Sequence, residues 1–288
     1  MMKKLGALVC GLVVLATLGL AEPAVAATPE DKNVINLAGR QRMLTQKMSK
    51  ELTLVALGID PEVNLGNLRE SRDEFQHVLD GLRDGDAALG LSKTTDPEIL
   101  EDLSKVYQLW PLFDAALTKG LTSGEVPEGL VGEIADLNLP LLEAMDEAVR
   151  SYEVAAAGKT YSMLAVTVNL CARQRMLIQK MAKEVFLIAY GHQAEFNRKS
   201  LRATYVLFEQ NLDMLTEGNG EKKVFPAPTP GVRAQLSKVW RLWDGFLPLV
   251  KAVAEGAEAD PELVGEVART NLPLLMEMDR AVLMYVAL

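Results

Sequence analysis

Four cations, Arg40, Arg42, Lys47 and Lys50, crowd into one sixteen-residue stretch, NLAGRQRMLTQKMSKE (36–51), ahead of its single acid, Glu51. The chemistry recurs as Arg173, Arg175, Lys180 and Lys183 in NLCARQRMLIQKMAKE (169–184), where twelve of the sixteen positions are identical. A guanidinium offers a planar fork of N–H donors that matches an oxyanion and stays charged at any relevant pH. Gly39, without a β-carbon, lets a ligand or a partner helix approach the backbone closely. On a helical wheel Leu37, Leu44 and Met48 form a buried stripe and Arg40 and Lys47 lie two turns apart on another face. Gly39, Arg42, Gln46 and Ser49 share a third face, and Arg175 and Gln179 repeat Arg42 and Gln46 in the second stretch. The bland reading of such a run is a solvated cationic face with salt bridges to acidic neighbours. Solvated faces drift between duplicated copies, however, and this polar stretch is the most tightly matched of the chain. Its pattern points to recognition of an anion.

Other chemistries find little support. His77 and His192 have no counterpart in the other stretch's surroundings, where Gln210 and Ile59 stand instead. There is no C-x-x-C-H for covalent haem and no pair of E-x-x-H motifs for a di-iron bundle. Met43, Met48, Met176 and Met181 lie at core spacing and read as gap fillers, and Trp110 and Trp243 as core anchors. Glu143, Asp146, Glu277 and Asp279 read as a solvated face or as partners for the cations. No catalytic residue, metal ligand or cofactor is expected.

The elements that hold the arginines come from a tandem duplication with an offset of 133 residues. LSKVYQLWPLF (103–113) matches LSKVWRLWDGF (236–246), and NLPLLEAMDEAV (138–149) matches NLPLLMEMDRAV (271–282). Leu37, Leu44, Met48, Leu52 and Val55 recur at three-to-four spacing, which is helical. Asp60-Pro61-Glu62, Asp96-Pro97-Glu98 and Asp260-Pro261-Glu262 each place a capping aspartate before a first-turn proline. Gly58, Gly191, Gly85 and Gly218 stand where helices end. Each copy is expected to form four helices of about 20 residues in an up-down-up-down bundle, so the fold class is all-α, two tandem four-helix bundles. Pro140 and Pro273 fall inside the fourth helices and, with Asn138 and Asn271 beside them, read either as a bent packing helix or as a wall of a small polar site. The linker SYEVAAAGKTYSM leaves two arrangements open. A turn at Gly158 doubles the chain back and sets the copies side by side, whereas a continuous helix sets them end to end.

The chain opens with Met1-Met2-Lys3-Lys4, an apolar run and AEPAVAATPEDK. This reads as a secretory signal peptide over residues 1–26, cleaved after Ala26. Cys10 lies too early in the run, behind a bulky Val9, for a lipoprotein. The expected organisation is then a first bundle over 28–157 and a second over 158–288, in the periplasm, with no membrane span after cleavage. Cys171 is the one cysteine beyond the signal, so no intrachain disulfide is expected. The net charge is −9; residues 1–26 hold two lysines and one glutamate, which leaves −10 on the remainder. Nucleic acid is an unsuitable partner for so acidic a chain.

NLAGRQRMLTQKM is similar to the stretch that opens the extracytoplasmic sensor domain of type IV pilus chemotaxis transducers, the PilJ-type N-terminal domain, and to that of nitrate/nitrite sensor kinases. The resemblance spans the chain beyond residue 26 as two such domains, and it implies four-helix bundles with the motif on the first helix. In the nitrate sensors the glycine and the arginine three residues later line a nitrate site between two parallel subunits. By position these fall on Gly39 and Arg42, and on Ala172 and Arg175. Ala172 departs from the glycine, and Arg40 and Gln41 replace other residues between glycine and arginine. The resemblance implies a small oxyanion ligand, with nitrate or nitrite as candidates, held across a pseudo-twofold axis by Arg42 and Arg175. Gly39, Gln46, Gln179, Arg40 and Arg173 would surround it, and a membrane transducer or pilus-associated protein would be the partner. The alternative is a non-catalytic structural module that docks to a pilus, chemoreceptor or envelope component through the basic stripe.

Overall fold

A computed structural model describes residues 28–157 and 163–288, and the described residues form eight helices. They are α1 (Pro29–Ala56), α2 (Pro61–Asp84), α3 (Pro97–Ser123), α4 (Leu130–Ala157), α5 (Met163–Tyr190), α6 (Ala194–Glu217), α7 (Pro230–Ala254) and α8 (Pro261–Val286). At 24 to 28 residues they are longer than the expected 20 or so. The caps sit at the outer limits of the apolar pattern. Thr28 and Asp31 close a reciprocal capping box on α1, Asp96 accepts from the amides of Glu98 and Ile99, and Asp260 accepts from that of Leu263.

Asp60 does not cap. It lies in the left-handed region (φ 42°) and makes no side-chain cap hydrogen bond. Asn64 Nδ2 donates instead to the carbonyls of Ile59 and Asp60, at 2.8 and 3.2 Å. Gln193, the matched residue, adopts the same conformation (φ 43°), and Asn197 serves the carbonyls of His192 and Gln193. The tight turn fixes the backbone there, so the aspartate type at 60 is incidental.

Within each bundle the helices run up-down-up-down, α1 to α4 and α5 to α8, around an aromatic cluster centred on Trp110 or Trp243. Phe75 meets Trp110 at 4.3 Å between ring centroids, and Phe208 meets Trp243 at 4.5 Å, both tilted. The bundles lie side by side with α1 packed along α5, which overturns the end-to-end arrangement. The expected turn at Gly158 and the expected signal at 1–26 lie outside the described residues. The two helices are parallel and related by a pseudo-twofold axis, because equivalent residues face each other: a β-carbon on Gly39 would stand 3.0 Å from Ala172 Cβ.

The position of α1 among α2, α4 and α5 decides against the solvated cationic face. Little of its circumference is left for water, so Gln41, Arg42, Gln46 and Ser49 are buried along with Leu44 and Met48. The solvated cationic face does not exist at Arg42 or Arg175. Pro140 and Pro273 fall inside α4 and α8 as expected, and Pro111 and Pro248 fall inside α3 and α7 as well.

Candidate functional site

Arg42 and Arg175 are 0 % and 1 % exposed. Burial of a charged side chain is tolerated only when its donors are met. Arg42 Nη1 donates to Asp146 Oδ1 on α4 at 2.6 Å, and Nη2 crosses the seam to Asn169 Oδ1 on α5 at 2.7 Å. The second copy mirrors this. Arg175 Nη1 donates to Asp279 Oδ1 on α8 at 2.7 Å, and Nη2 crosses to Asn36 on α1, to Oδ1 at 2.9 Å and to the carbonyl at 3.1 Å. Both Nε donors are buried, with no hydrogen-bond partner among the described residues. The two Nη2 atoms converge on Gly39, where a β-carbon would lie 3.3 Å from that of Arg42 and 3.9 Å from that of Arg175. Glycine at this one position leaves room for both guanidinium groups and for the methyl of Ala172.

The charges around them are unequal. Asp146 takes Arg42 at 2.6 Å, Arg150 at 2.6 Å and Arg173, from the other bundle, at 3.5 Å. Asp279 takes Arg175 at 2.7 Å and Arg40 at 3.8 Å, and Arg40 also pairs with Glu74. Burial pushes the Arg42 guanidinium down to about 10 against the pull of Asp146, with Arg173 and Arg175 adding to the push. Burial also lowers Arg175 against Asp279. Burial works to raise the Asp146 carboxyl, but Arg42 and Arg173 override it and hold it below the usual range.

Two cavities open on either side of the seam. One, of about 330 Å³, is lined by Asp146, Arg150, Arg173 and Met176 among others. The other, of about 270 Å³, is lined by Arg40, Lys47, Glu74 and Asp279 among others. Arg42 and Arg175 line neither; they lie behind Asp146 and Asp279.

The structure therefore brings Gly39, Arg42 and Arg175 together at the axis and sets Arg40 and Arg173 at opposite mouths. Gln46 and Gln179 are held one turn further on, by Asn138 Oδ1 at 2.9 Å and Asn271 Oδ1 at 3.0 Å. The asparagines before the prolines thus form polar walls. Asn36 and Asn169, which carry the crossing bonds, received no role from the sequence, although their identity in both stretches was the available signal. Gln41 and Gln174 prove structural, donating to the carbonyls of Phe75 and Phe208 on the second helix of each bundle.

The family model described as type IV pili methyl-accepting chemotaxis transducer N-term, PilJ, matches residues 26–131 and 162–270. Methyl-accepting chemotaxis protein McpN of Pseudomonas aeruginosa is 33 % identical over 119 residues, which is 38 % of this chain and 22 % of that protein. The chain thus spans about a fifth of the length of that curated relative. The solved ligand-binding domain of the P. aeruginosa nitrate receptor McpN is 30 % identical, with a TM-score of 0.38 over 42 % of this chain and 94 % of that one. With two matched segments that cover the greater part of its length, the chain belongs to the PilJ family and carries the family's unit twice.

Proposed function

We propose that this chain is an exported, non-catalytic sensory module that binds one small oxyanion at the α1/α5 seam, with nitrate or nitrite as the ligand. In this reading residues 1–26 direct export to the periplasm, and 28–157 and 158–288 are two PilJ-type units that build one site between them. Arg42 and Arg175 grip the anion beside Gly39, Arg40 and Arg173 guard the mouths, and Gln46 and Gln179 support the floor. A membrane transducer or a pilus-associated protein reads the state of the site. The observation that carries the reading is the meeting of two buried guanidinium groups, from equivalent positions of two helices, at one glycine. Like charges so placed repel, and an anion between them relieves the repulsion. The 33 % identity over 119 residues with McpN, a nitrate receptor, supports the choice of ligand. Entry requires each arginine to exchange part of its contact with Asp146 or Asp279 for the ligand, and the free Nε donors supply further bonds.

The test is the rise in thermal midpoint with nitrate, nitrite and sulfate. The wild type should be stabilised by nitrate. Arg42→Lys with Arg175→Lys keeps both charges but loses the planar forks, and should lose that response; an unchanged response in the double variant rules the site out. A second reading, a helical module that docks to a pilus, chemoreceptor or envelope component, is favoured by the native carboxylates already seated on both arginines. Silence toward all three anions, together with capture of a defined envelope partner, would select it.

A further inference from the structure

The seam holds a second imbalance. Lys183 on α5 is 7 % exposed. Its ammonium crosses to Asn138 Oδ1 on α4 at 2.7 Å, yet among the described residues no carboxylate lies within ion-pair distance of it. Burial pushes it down to about 7. A buried cation without a counter-charge is costly, and proteins rarely leave one so. Its counterpart Lys50 reaches Asn271 Oδ1 only at 3.4 Å and remains half-buried.

Beside Lys183 lies a cavity of about 310 Å³ between α4, α5 and the start of α6, at the lower end of the range that holds small molecules. Glu184 lines the same cavity. Its Oε1 accepts from Lys180 and Ser200, but Oε2 is buried and has no hydrogen-bond partner among the described residues. In the first bundle the matched Glu51 uses both oxygens, on Lys47 and on Ser71. Gln193, which opens α6 at the edge of the cavity, provides no side-chain cap, so the first-turn amides of that 24-residue helix remain donors. The apolar part of the wall is Leu139, Pro140, Leu187 and Phe196, and the polar side chains of Asp136, His192 and Asn197 complete the lining. Leu139 and Phe196 are exposed, at 42 % and 58 %. The cavity thus offers a cation lacking an anion, an acceptor lacking a donor, and an apolar surface lacking a cover.

We infer that this cavity binds a free α-amino acid with an apolar side chain. Its carboxylate meets the Lys183 ammonium and the first turn of α6, its ammonium meets Glu184 Oε2, and its side chain covers Leu139, Pro140, Leu187 and Phe196. The related groove of the first bundle has Ile59 and Val63 in place of His192 and Phe196 and fills its glutamate, so each chain holds one such site. Neither Arg42 nor Arg175 lines this cavity, although Lys183 shares Asn138 Oδ1 with Gln46.

Isothermal titration of the full mature chain with L-leucine tests this. The expected result is one molecule per chain, with binding at least tenfold weaker for 4-methylpentanoate and for 3-methylbutylamine, which each lack one of the two charged groups. Lys183→Met should weaken leucine binding at least tenfold. Phe196→Ser, at an exposed position that folding does not need, should weaken it severalfold, which keeps the test decisive if Lys183→Met fails to fold. Absence of heat with L-leucine, L-methionine and L-phenylalanine overturns the inference. So does unchanged affinity in both variants, or 4-methylpentanoate binding as tightly as L-leucine.

Discussion

On their inner sides the two bundles make matched bonds with matched residues. Gln41 and Gln174 reach the carbonyls of Phe75 and Phe208 at 2.7 and 2.8 Å. Asn138 and Asn271 donate to the carbonyls of Thr45 and Ile178 at 2.8 and 2.9 Å. Tyr152 and Tyr285 donate to those of Leu82 and Leu215 at 2.8 and 3.0 Å. At the two mouths of the seam the bundles part. Arg150 on one side corresponds to Leu283 on the other, and Glu74, which pairs with Arg40, corresponds to Leu207, which leaves Arg173 with Asp146 alone. One mouth gathers three guanidinium groups on a single carboxylate, and the other balances two against two. Burial explains the division. A polar group in the interior must keep its partner, because a lost bond there costs far more than one replaced by water, whereas the rim is free to change its charge.

The largest test of this asymmetry removes its centre. Asp146→Asn removes the carboxylate paired with Arg42, Arg150 and Arg173 and should destabilise the fold by about 3–5 kcal/mol in chemical denaturation. Asp279→Asn should cost less, because Arg40 keeps Glu74; equal losses would deny the mouths any energetic difference. The lysines come next. In the folded chain Lys183 is held down to about 7 and Lys50 to about 8, from an ordinary 10.5. Between those limits the unfolded chain binds more protons, so stability rises with pH across that window. Lys183→Met should flatten this rise more than Lys50→Met, as read by denaturation midpoints at pH 7 and pH 10. A rise that survives in both variants belongs to other groups.

A smaller effect is expected at the axis. Gly39→Ala drives a methyl to 3.0 Å from Ala172 and should cost about 1–3 kcal/mol through overpacking. Adding Ala172→Gly moves the methyl to the opposite side and should recover most of the loss; a purely additive double variant would mean that the axis is not two-sided. The smallest effect is a repair. Leu207→Glu installs the counterpart of Glu74 beside Arg173 and should stabilise by less than about 1 kcal/mol, fading with added salt.

The eight helices, their pairing into two bundles and the caps at Asp96 and Asp260 were legible because apolar spacing and cap chemistry are local. Asp60 misled because a left-handed turn, set by Asn64, overrides the cap at that point. The wheel of α1 placed Arg42 correctly relative to Gly39 but did not reveal its complete burial, because a wheel does not count how many helices surround it. The side-by-side packing depends on contacts between residues over a hundred positions apart, such as Arg42 with Asn169, and only the repeat hinted at them. Asp146 and Asp279 stood out as possible partners of the cations, while the crossing role of Asn36 and Asn169 needed the packed seam.

The bare position at Gly39 against the methyl of Ala172 has a consequence for how the pairing can be varied. When two identical subunits meet, every change at their common axis is made twice. The half built on α5 would then press alanine upon alanine, while the half built on α1 would leave a gap. Joined in one chain, the two sides can be altered one at a time, and their encounter no longer depends on how dilute the protein is.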